Sequence, residues 1–141
     1  MERIPFTKEG LDKVKEELAH IKKVERPDNI RAIEEARKHG DLSENAEYHA
    51  AKEKQSFLEG KINELESVIG QAEVIDFTNG PTDRVVFGRT VLLYNMETEE
   101  EVQYQLLGPY ESDPDNGRIS VKSPIGMALI GSEVGDEVRV K

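Results

Sequence analysis

Two acidic side chains stand three residues apart in the segment Asp41-Leu42-Ser43-Glu44, directly after Gly40. Carboxylates at this spacing at the start of a helix lie on one face and can both reach one external group. A hard divalent cation such as Mg²⁺ accepts one or two carboxylates and fills its remaining positions with waters and substrate oxygens. Two exposed carboxylates cannot enclose a metal ion, so the segment predicts a ligand pair that completes a site half-supplied by another molecule.

The same residues also have a purely structural interpretation. Asp41 and Glu44 fit a capping box, with Asp41 as the N-cap and Glu44 at the third helical position. Both acids would also favour the positive end of the helix dipole. Capping and metal binding use the same geometry, and the residues alone leave both open.

Two helical patterns flank the acids and mirror each other. In both patterns apolar residues recur at alternating spacings of three and four, which is typical of a coiled-coil seam. The predicted seam positions are Leu11, Val14, Leu18 and Ile21 before the acids and Tyr48, Ala51, Gln55, Leu58, Ile62, Leu65, Ile69 and Ala72 after them. Pairs such as Leu18 with Leu65 and Ile21 with Ile62 have position numbers that add up to the same value. This constant value predicts an antiparallel hairpin, and two helices of an ordinary bundle are the alternative.

Local signals divide the first arm. Thr7 is the predicted N-cap. Pro27 predicts a kink or short break near residues 25–27, because proline lacks a backbone donor and disfavours helix at the preceding residue. Gly40 suits the helix C-terminus. The positions predicted to be buried after the break are Ile30, Ile33 and Ala36.

The sequence changes character after residue 76. A turn-rich linker at 78–83 precedes segments with strand composition at 85–87, 90–94, 101–107, 118–122 and 137–141. A short helix is predicted at 125–130, capped by Ser123 with Pro124 at its first position. The predicted fold class is therefore α+β, with a coiled-coil hairpin at 1–76, its tip at 40–45, and a small domain with an antiparallel sheet at 77–141.

Composition excludes several classes of protein. The chain has no cysteine, so it has neither a disulfide framework nor a thiolate metal site. No apolar run approaches the ~20 residues of a membrane helix, and the N-terminus lacks a signal-peptide core. Binding to free DNA needs a basic surface, whereas the formal net charge is −10. We expect a soluble cytoplasmic protein with no membrane contact and weak or no binding to free DNA.

Basic and aromatic side chains accompany the acids. Arg37 and Lys52 could hold a phosphate backbone, and Tyr48 could stack on a base. Solvated helix faces and packing on the seam are the alternatives. The sequence has no phosphate-binding glycine loop and no evident nucleophile–base arrangement.

The segment 35–52, with Arg26-Pro27 before it, resembles the tip of the bacterial GreA transcript-cleavage factors. Shorter matches follow at 71–76, 86–88, 119–121 and 123–125, so the resemblance spans essentially the whole chain. Leu42 and the acidic balance resemble GreA rather than its more basic paralogue.

The resemblance implies a monomeric transcription elongation factor that enters the secondary channel of RNA polymerase. It would stimulate the polymerase to cleave the 3′ end of backtracked nascent RNA, rescuing arrested complexes, and would be an accessory factor rather than an enzyme. Asp41 and Glu44 would help hold a Mg²⁺ shared with the polymerase active site and position the attacking water. Residues 77–141 would form an FKBP-like domain. The resemblance assigns RNA contact to Arg37, Tyr48 and Lys52, and polymerase docking to Ser120, Ser123, Pro124 and Ile125.

The chain departs from the family pattern in two places. Gly126-Met127 stands where the family usually has Ala-Arg, and the family continues beyond Lys141 into a final strand. The sheet is therefore expected to lack its last strand and to expose an unpaired edge. Two other functions stay open: a channel-binding inhibitor without cleavage, whose members carry altered, more acidic tips, and a prolyl isomerase or chaperone, suggested by the FKBP-like domain alone.

Overall fold

The computed structural model describes residues 2–40, 45–78, 80 and 83–140. The strands are β1 (Ile4–Phe6), β2 (Ala72–Val74), β3 (Thr90–Asn95), β4 (Glu100–Leu107) and β5 (Arg118–Ser120). The helices are α1 (Lys8–His20), α2 (Arg26–Arg37), α3 (Ala46–Gln71) and α4 (Pro124–Leu129). A π-helical turn, Ile21–Glu25, joins α1 to α2, and a 3₁₀ turn, Pro114–Asn116, precedes β5. Within the described ranges no helix is long and apolar enough to span a membrane.

The chain divides into two compact units. One is helical and comprises Asp12–Gly70, and the other comprises Met1–Leu11 together with Gln71–Lys141. The parallel pairing of β1 with β2, in which Ile4 lies opposite Ala72, belongs to this second unit. The predicted hairpin at 1–76 instead includes both of these short strands.

The helical unit is an antiparallel hairpin with an apolar seam. Its core cluster consists of Ile21, Leu58, Ile62 and Leu65, with Val14 and Leu18 packed against it. Ion pairs across the two arms run in the same antiparallel order, with Lys22 Nζ 2.5 Å from a Glu66 carboxylate oxygen and an Arg26 guanidinium nitrogen 3.7 Å from one of Glu59. The hairpin and the central pairs predicted from the seam are confirmed.

The predicted break near Pro27 is a wide helical turn instead. The Arg26 N–H donates to the Ile21 carbonyl five residues earlier, which inserts one residue relative to an α-helical turn. This turn accommodates a proline that lacks an N–H without ending the helix. The inserted residue shifts the buried face, so Asn29 is buried and Ile30 is 44% exposed. The prediction that Ile30 is buried is therefore wrong, whereas Ile33 and Ala36 are buried as predicted.

The far end of the second arm also differs from the predicted seam. Val68 is buried, and Ile69 is only half-buried. The helix ends at Gln71, and Ala72 begins β2 rather than continuing the seam. A three-residue strand has too short a pattern to be distinguished from the end of a helix.

The larger sheet has the order β3-β4-β5. β3 and β4 are antiparallel, with Val91 opposite Tyr104, whereas β4 and β5 are parallel, with Leu106 opposite Ile119. The sheet is therefore mixed rather than antiparallel throughout. Residues 85–87 and 137–140, predicted as strands, lie outside the strands, although Val85 and Val138 pack against the core of Leu106, Ile119 and Leu129.

The first turn of α1 is capped as predicted. The Gly10 N–H donates to Thr7 Oγ1 at 3.1 Å. The Glu111 carboxylate accepts from the Thr7 hydroxyl and, at 3.0 Å, from the Thr7 N–H. A Cβ atom on Gly10 would lie 1.7 Å from Glu111 Oε1, so the glycine makes room for this carboxylate.

Candidate functional site

Asp41 and Glu44, the predicted ligands, lie outside the described residues, and the site is built here from the residues on either side. The last turn of the first arm tightens, because the Lys38 N–H donates to the Glu35 carbonyl and the His39 N–H to the Ala36 carbonyl. Gly40 follows with φ +109°, a backbone conformation that favours glycine. The first arm therefore ends where the sequence predicts.

Asn45 starts the returning arm. Its side-chain oxygen accepts from the Tyr48 N–H at 3.0 Å, and its backbone carbonyl accepts from the His49 N–H at 3.1 Å, so Asn45 is the N-cap of α3. The interpretation of Asp41 as an N-cap, with Glu44 at the third helical position, falls on residues outside the described ranges. Asn45 is absent from the predicted site, although asparagine is among the most favoured N-cap residues.

The same side chain also bonds the opposite arm. Asn45 Nδ2 donates to the Ala36 carbonyl oxygen at 2.7 Å. Ala36 is 3% exposed and lies on the buried face of α2. One amide therefore joins the end of α2 to the start of α3 at the base of the tip.

Two of the predicted RNA-contacting residues lie together at this base. The Arg37 guanidinium carbon lies 6.0 Å from the centre of the Tyr48 ring, at the outer limit of a cation–π contact. Arg37 is exposed and Tyr48 is half-buried. Tyr48 also makes an edge-to-face contact with the His49 ring, with centroids 5.8 Å apart. The Tyr48 ring is therefore in contact with both Arg37 and His49.

The other cations near the tip differ in their partners. Lys52 lies one turn further along α3 and is exposed, and its Nζ donates to Gln55 Oε1 at 3.1 Å. Lys38 lies 3.6 Å from the Glu35 carboxylate, and His39 Nε2 lies 3.9 Å from it. Arg37 and Lys52 are thus the cations beside the tip for which the structure gives no carboxylate partner among the described residues.

The predicted docking residues meet at the junction of β5 and α4. The Ser123 hydroxyl donates to the Ser120 carbonyl at 2.6 Å and accepts from the Gly126 N–H at 3.1 Å, which confirms Ser123 as the cap of α4. Pro124 is exposed, whereas Ile125 packs against the core of this unit. The structure therefore brings the four residues together in one turn, in which Pro124 is exposed and Ser120 and Ser123 are half-buried.

The departure from the family at Gly126-Met127 has a visible consequence. A Cβ atom on Gly126 would lie 2.1 Å from the Ser120 carbonyl oxygen, so glycine lets α4 approach β5 closely. The Met127 side chain is 64% exposed. It lines an apolar cleft of about 640 Å³ together with Pro5, Ile75, Val86, Phe87, Val121 and Ile130. Met127 is thus an exposed apolar side chain at the position where the resemblance implies a cation.

These features define a class of protein in which an antiparallel helical hairpin with a capped tip is joined to a small α+β unit. The family models "Transcription elongation factor, N-terminal" and "Transcription elongation factor, GreA/GreB, C-term" match residues 4–74 and 80–141. The chain belongs to the GreA/GreB family of transcription elongation factors. The resemblance predicted from the tip residues is thereby confirmed.

Individual relatives agree with this assignment. The chain is 57% identical to transcription elongation factor GreA of Rhodospirillum rubrum, covering all of this chain and 90% of that protein. It is 55% identical to transcription elongation factor GreA of Thermodesulfovibrio yellowstonii, covering 99% of this chain and 89% of that protein. The crystal structure of GreA factor homolog 1 of Thermus thermophilus shares the fold, with a TM-score of 0.50, 24% identity and coverage of 99% and 90% of the two chains.

Proposed function

We propose that this chain stimulates RNA polymerase to cleave the 3′ end of backtracked nascent RNA, with Asp41 and Glu44 as the groups delivered to the reaction. The observation that carries the proposal is the joining of the two arms by Asn45 and Ala36, because the segment that bears both acids lies between these two residues. Membership of a family of transcription elongation factors supports the same activity.

The donor set at the tip fits a shared Mg²⁺ ion. Two carboxylates are hard oxygen ligands of the kind Mg²⁺ prefers, but they fill only part of its coordination shell. The described residues contain no cluster of three or more potential metal ligands, so the remaining ligands would come from the polymerase and the RNA. When bound, the ion would stabilise developing negative charge and lower the pKa of a water molecule. The chain would then act as an accessory factor that completes the polymerase's own site.

The cations at the base of the tip would hold the RNA. Arg37 is exposed beside Tyr48, and Lys52 is exposed one turn along α3. Each can contact a backbone phosphate near the acids, and Tyr48 would act mainly by supporting Arg37 because its ring is already packed. Since the whole chain is strongly acidic, these contacts would be strong only next to the polymerase and its RNA.

The second unit would hold the factor at the rim of the polymerase secondary channel. Pro124 is exposed in the turn that also contains the half-buried Ser120 and Ser123, and Met127 adds an exposed apolar side chain. Apolar contact would replace part of the charge attraction that an arginine supplies elsewhere in the family. The chain would work in the cytoplasm, where bacterial RNA polymerase transcribes.

The test uses RNA polymerase stalled in a backtracked complex whose RNA carries a label at its 3′ end. Addition of the chain is expected to release short labelled fragments and to let the complex resume elongation when nucleotides are added. Slower elongation without any fragment would contradict the proposal and identify a channel-binding inhibitor. Turnover of a prolyl peptide in a separate assay would favour an isomerase.

A further inference from the structure

We propose that strand β3 is a self-association surface, through which two copies of this chain pair edge to edge as an antiparallel dimer at high concentration. The proposal goes beyond the action on RNA polymerase and does not depend on it. The monomer that the resemblance implies would be the form present at low concentration.

The outer edge of β3 is open. Among the described residues β3 pairs with β4 alone. Just before β3, the Arg89 carbonyl accepts from the Leu106 N–H. Because residues of an antiparallel pair face their neighbour alternately, the N–H and C=O groups of Thr90, Leu92 and Tyr94 face away from β4. Such an open row of donors and acceptors can pair with another strand.

Strand β3 lacks the features with which proteins usually protect an edge. Its sequence contains no proline and no charged residue over six positions. The opposite edge of the sheet is different, because β5 has only three residues and its Arg118 also pairs with Asp113. β3 is therefore the edge of this sheet that favours a further strand.

Exposed apolar side chains line one face of this edge. Leu92, Tyr94 and Met96, which directly follows β3, are 61%, 59% and 67% exposed. Alternate residues of a strand lie on the same face, so the three form a row. A row of exposed apolar side chains marks an interaction site, and its burial against a second strand would favour association.

The charges at the two ends of β3 favour a second copy as the partner. Arg84 and Arg89 precede the strand, whereas Glu97 and Glu99 follow it. Neither Arg84 nor Glu97 has an ion pair within the described ranges. In an antiparallel pair of identical strands the start of one strand lies beside the end of the other. Each basic end would therefore meet an acidic end, which fixes the register of the pair.

The two-fold axis of this dimer would pass beside Leu92. Pairing of the outward-facing backbone groups sets Leu92 opposite Leu92 of the second copy, and Tyr94 opposite its Thr90. Such an interface is closed, because the same surface is used by both copies. Two six-residue strands bury little surface, so the association is weak and reversible.

The first test is sedimentation equilibrium of the full chain at about 0.15 M salt, which screens the repulsion between two acidic chains. Over about 10 µM to about 1 mM, the range of weak complexes, the mean mass should rise from monomer towards dimer. Leu92→Lys should stay monomeric throughout. The matched control is Phe57→Lys, at a 68% exposed position of α3, which should associate like wild type. Both variants should keep the wild-type free energy of unfolding.

A charge swap tests the register. Arg84→Glu or Glu97→Lys alone should raise the dissociation constant about 10-fold, since symmetry repeats each contact. The double variant should return it to the wild-type value, because each end again meets the opposite charge. A double variant that associates no better than the single ones would contradict the antiparallel register.

A single thiol tests the position of the axis. The chain has no cysteine, so Leu92→Cys carries one. In the dimer the two Cα atoms at this position would lie about 5.5 Å apart, within the range that a disulfide spans. Oxidised glutathione should therefore link Leu92→Cys into a dimer, and Phe57→Cys should be linked far more slowly under the same conditions. Equal rates for the two variants would contradict this axis.

The remaining outcomes also decide the proposal. A monomer mass for wild type at every concentration would overturn it, as would association that Leu92→Lys retains, since another surface would then be responsible. Species larger than a dimer would contradict the closed pairing. None of these results bears on transcript cleavage, so failure of this proposal and failure of the proposed function are distinguishable.

Discussion

The side-chain amide of Asn29 donates to the backbone carbonyl oxygen of Ala51 at 3.1 Å, across the core of the helical hairpin. Asn29 is 4% exposed and is the one buried polar side chain among the described residues. Because a buried amide without a partner costs free energy, this bond favours the register in which these two residues face each other. The register in turn determines which residues stand at the tip.

Replacing Asn29 with aspartate is expected to lower the free energy of unfolding by about 2–4 kcal/mol at neutral pH, because a carboxylate would be buried without a donor for Ala51. Burial would raise the pKa of the new carboxyl in the folded state above its unfolded value. The protonated carboxyl is therefore tolerated at low pH, and stability is lost as the pH rises through the folded-state pKa and the group ionises. Urea unfolding at pH 7 and pH 5, each compared with wild type, should show a smaller deficit at the lower pH.

Asn29→Leu serves as the control, since an apolar side chain of similar size needs no partner and is expected to keep most of the stability. An equal deficit for Asn29→Asp at both pH values would contradict the buried-carboxylate explanation.

Two glycines are expected to respond to alanine in opposite directions. No atom lies within 4 Å of a Cβ placed on Gly60 in the middle of α3, so Gly60→Ala should stabilise the chain by about 0.5–1 kcal/mol through helix propensity. A Cβ on buried Gly108 would lie 2.0 Å from the Pro5 carbonyl oxygen, so Gly108→Ala should destabilise by about 1–3 kcal/mol. Urea unfolding measures both, and stabilisation by Gly108→Ala would contradict the close approach of the Pro5 backbone.

The Asp76 carboxylate, which follows β2, makes the stability of the chain weakly dependent on pH in the acid range. Asp76 accepts from the Thr78 hydroxyl at 2.6 Å and from the Thr78 N–H at 3.0 Å. These bonds, the hydroxyl first, lower the pKa of Asp76 below its ordinary value of 3.8. Their stabilisation is therefore complete above the ordinary pKa and is lost as the pH falls through the lowered one. Melting temperatures should show Asp76→Ala below wild type at pH 6 and equal to it at strongly acid pH, and a difference that grows on acidification would reverse this assignment.

Much of the helical unit can be predicted from sequence because its pattern is long and mirrored. Val14, Leu18, Ile21, Ile62 and Leu65 pack as their spacings indicate. The error at Ile30 arises because a single π-helical turn shifts the face without changing the apolar composition. Such a turn depends on the backbone conformation next to Pro27, and the spacing of apolar residues does not reveal it.

The second unit is harder to predict because its pairings are short and distant in sequence. β1 and β2 have three residues each and are separated by the entire hairpin. Val85 and Val138 are half-buried and pack against the core, yet they lie outside the strands. Hydrophobicity therefore predicts their packing correctly and their secondary structure wrongly.

At the candidate site the residue types indicate which roles are present, but they do not show which residue performs each role. The Asp-x-x-Glu spacing suggests both capping and metal binding, and the residue that accepts from the Tyr48 N–H at the start of α3 is Asn45. Helix α3 begins at Ala46, and Asp41 and Glu44 lie outside the described residues.

The most direct measurement of the central claim is the rate at which backtracked polymerase releases 3′ RNA fragments with saturating Asp41→Asn, beside Glu44→Gln and wild type. Each substitution keeps the side-chain size and removes the charge. Release is expected to fall by about 100-fold, a loss of about 2.7 kcal/mol of metal-assisted stabilisation, with unfolding free energy and competition for polymerase unchanged. Fragment release at the wild-type rate by both variants would contradict the claim that the tip delivers half of a metal site.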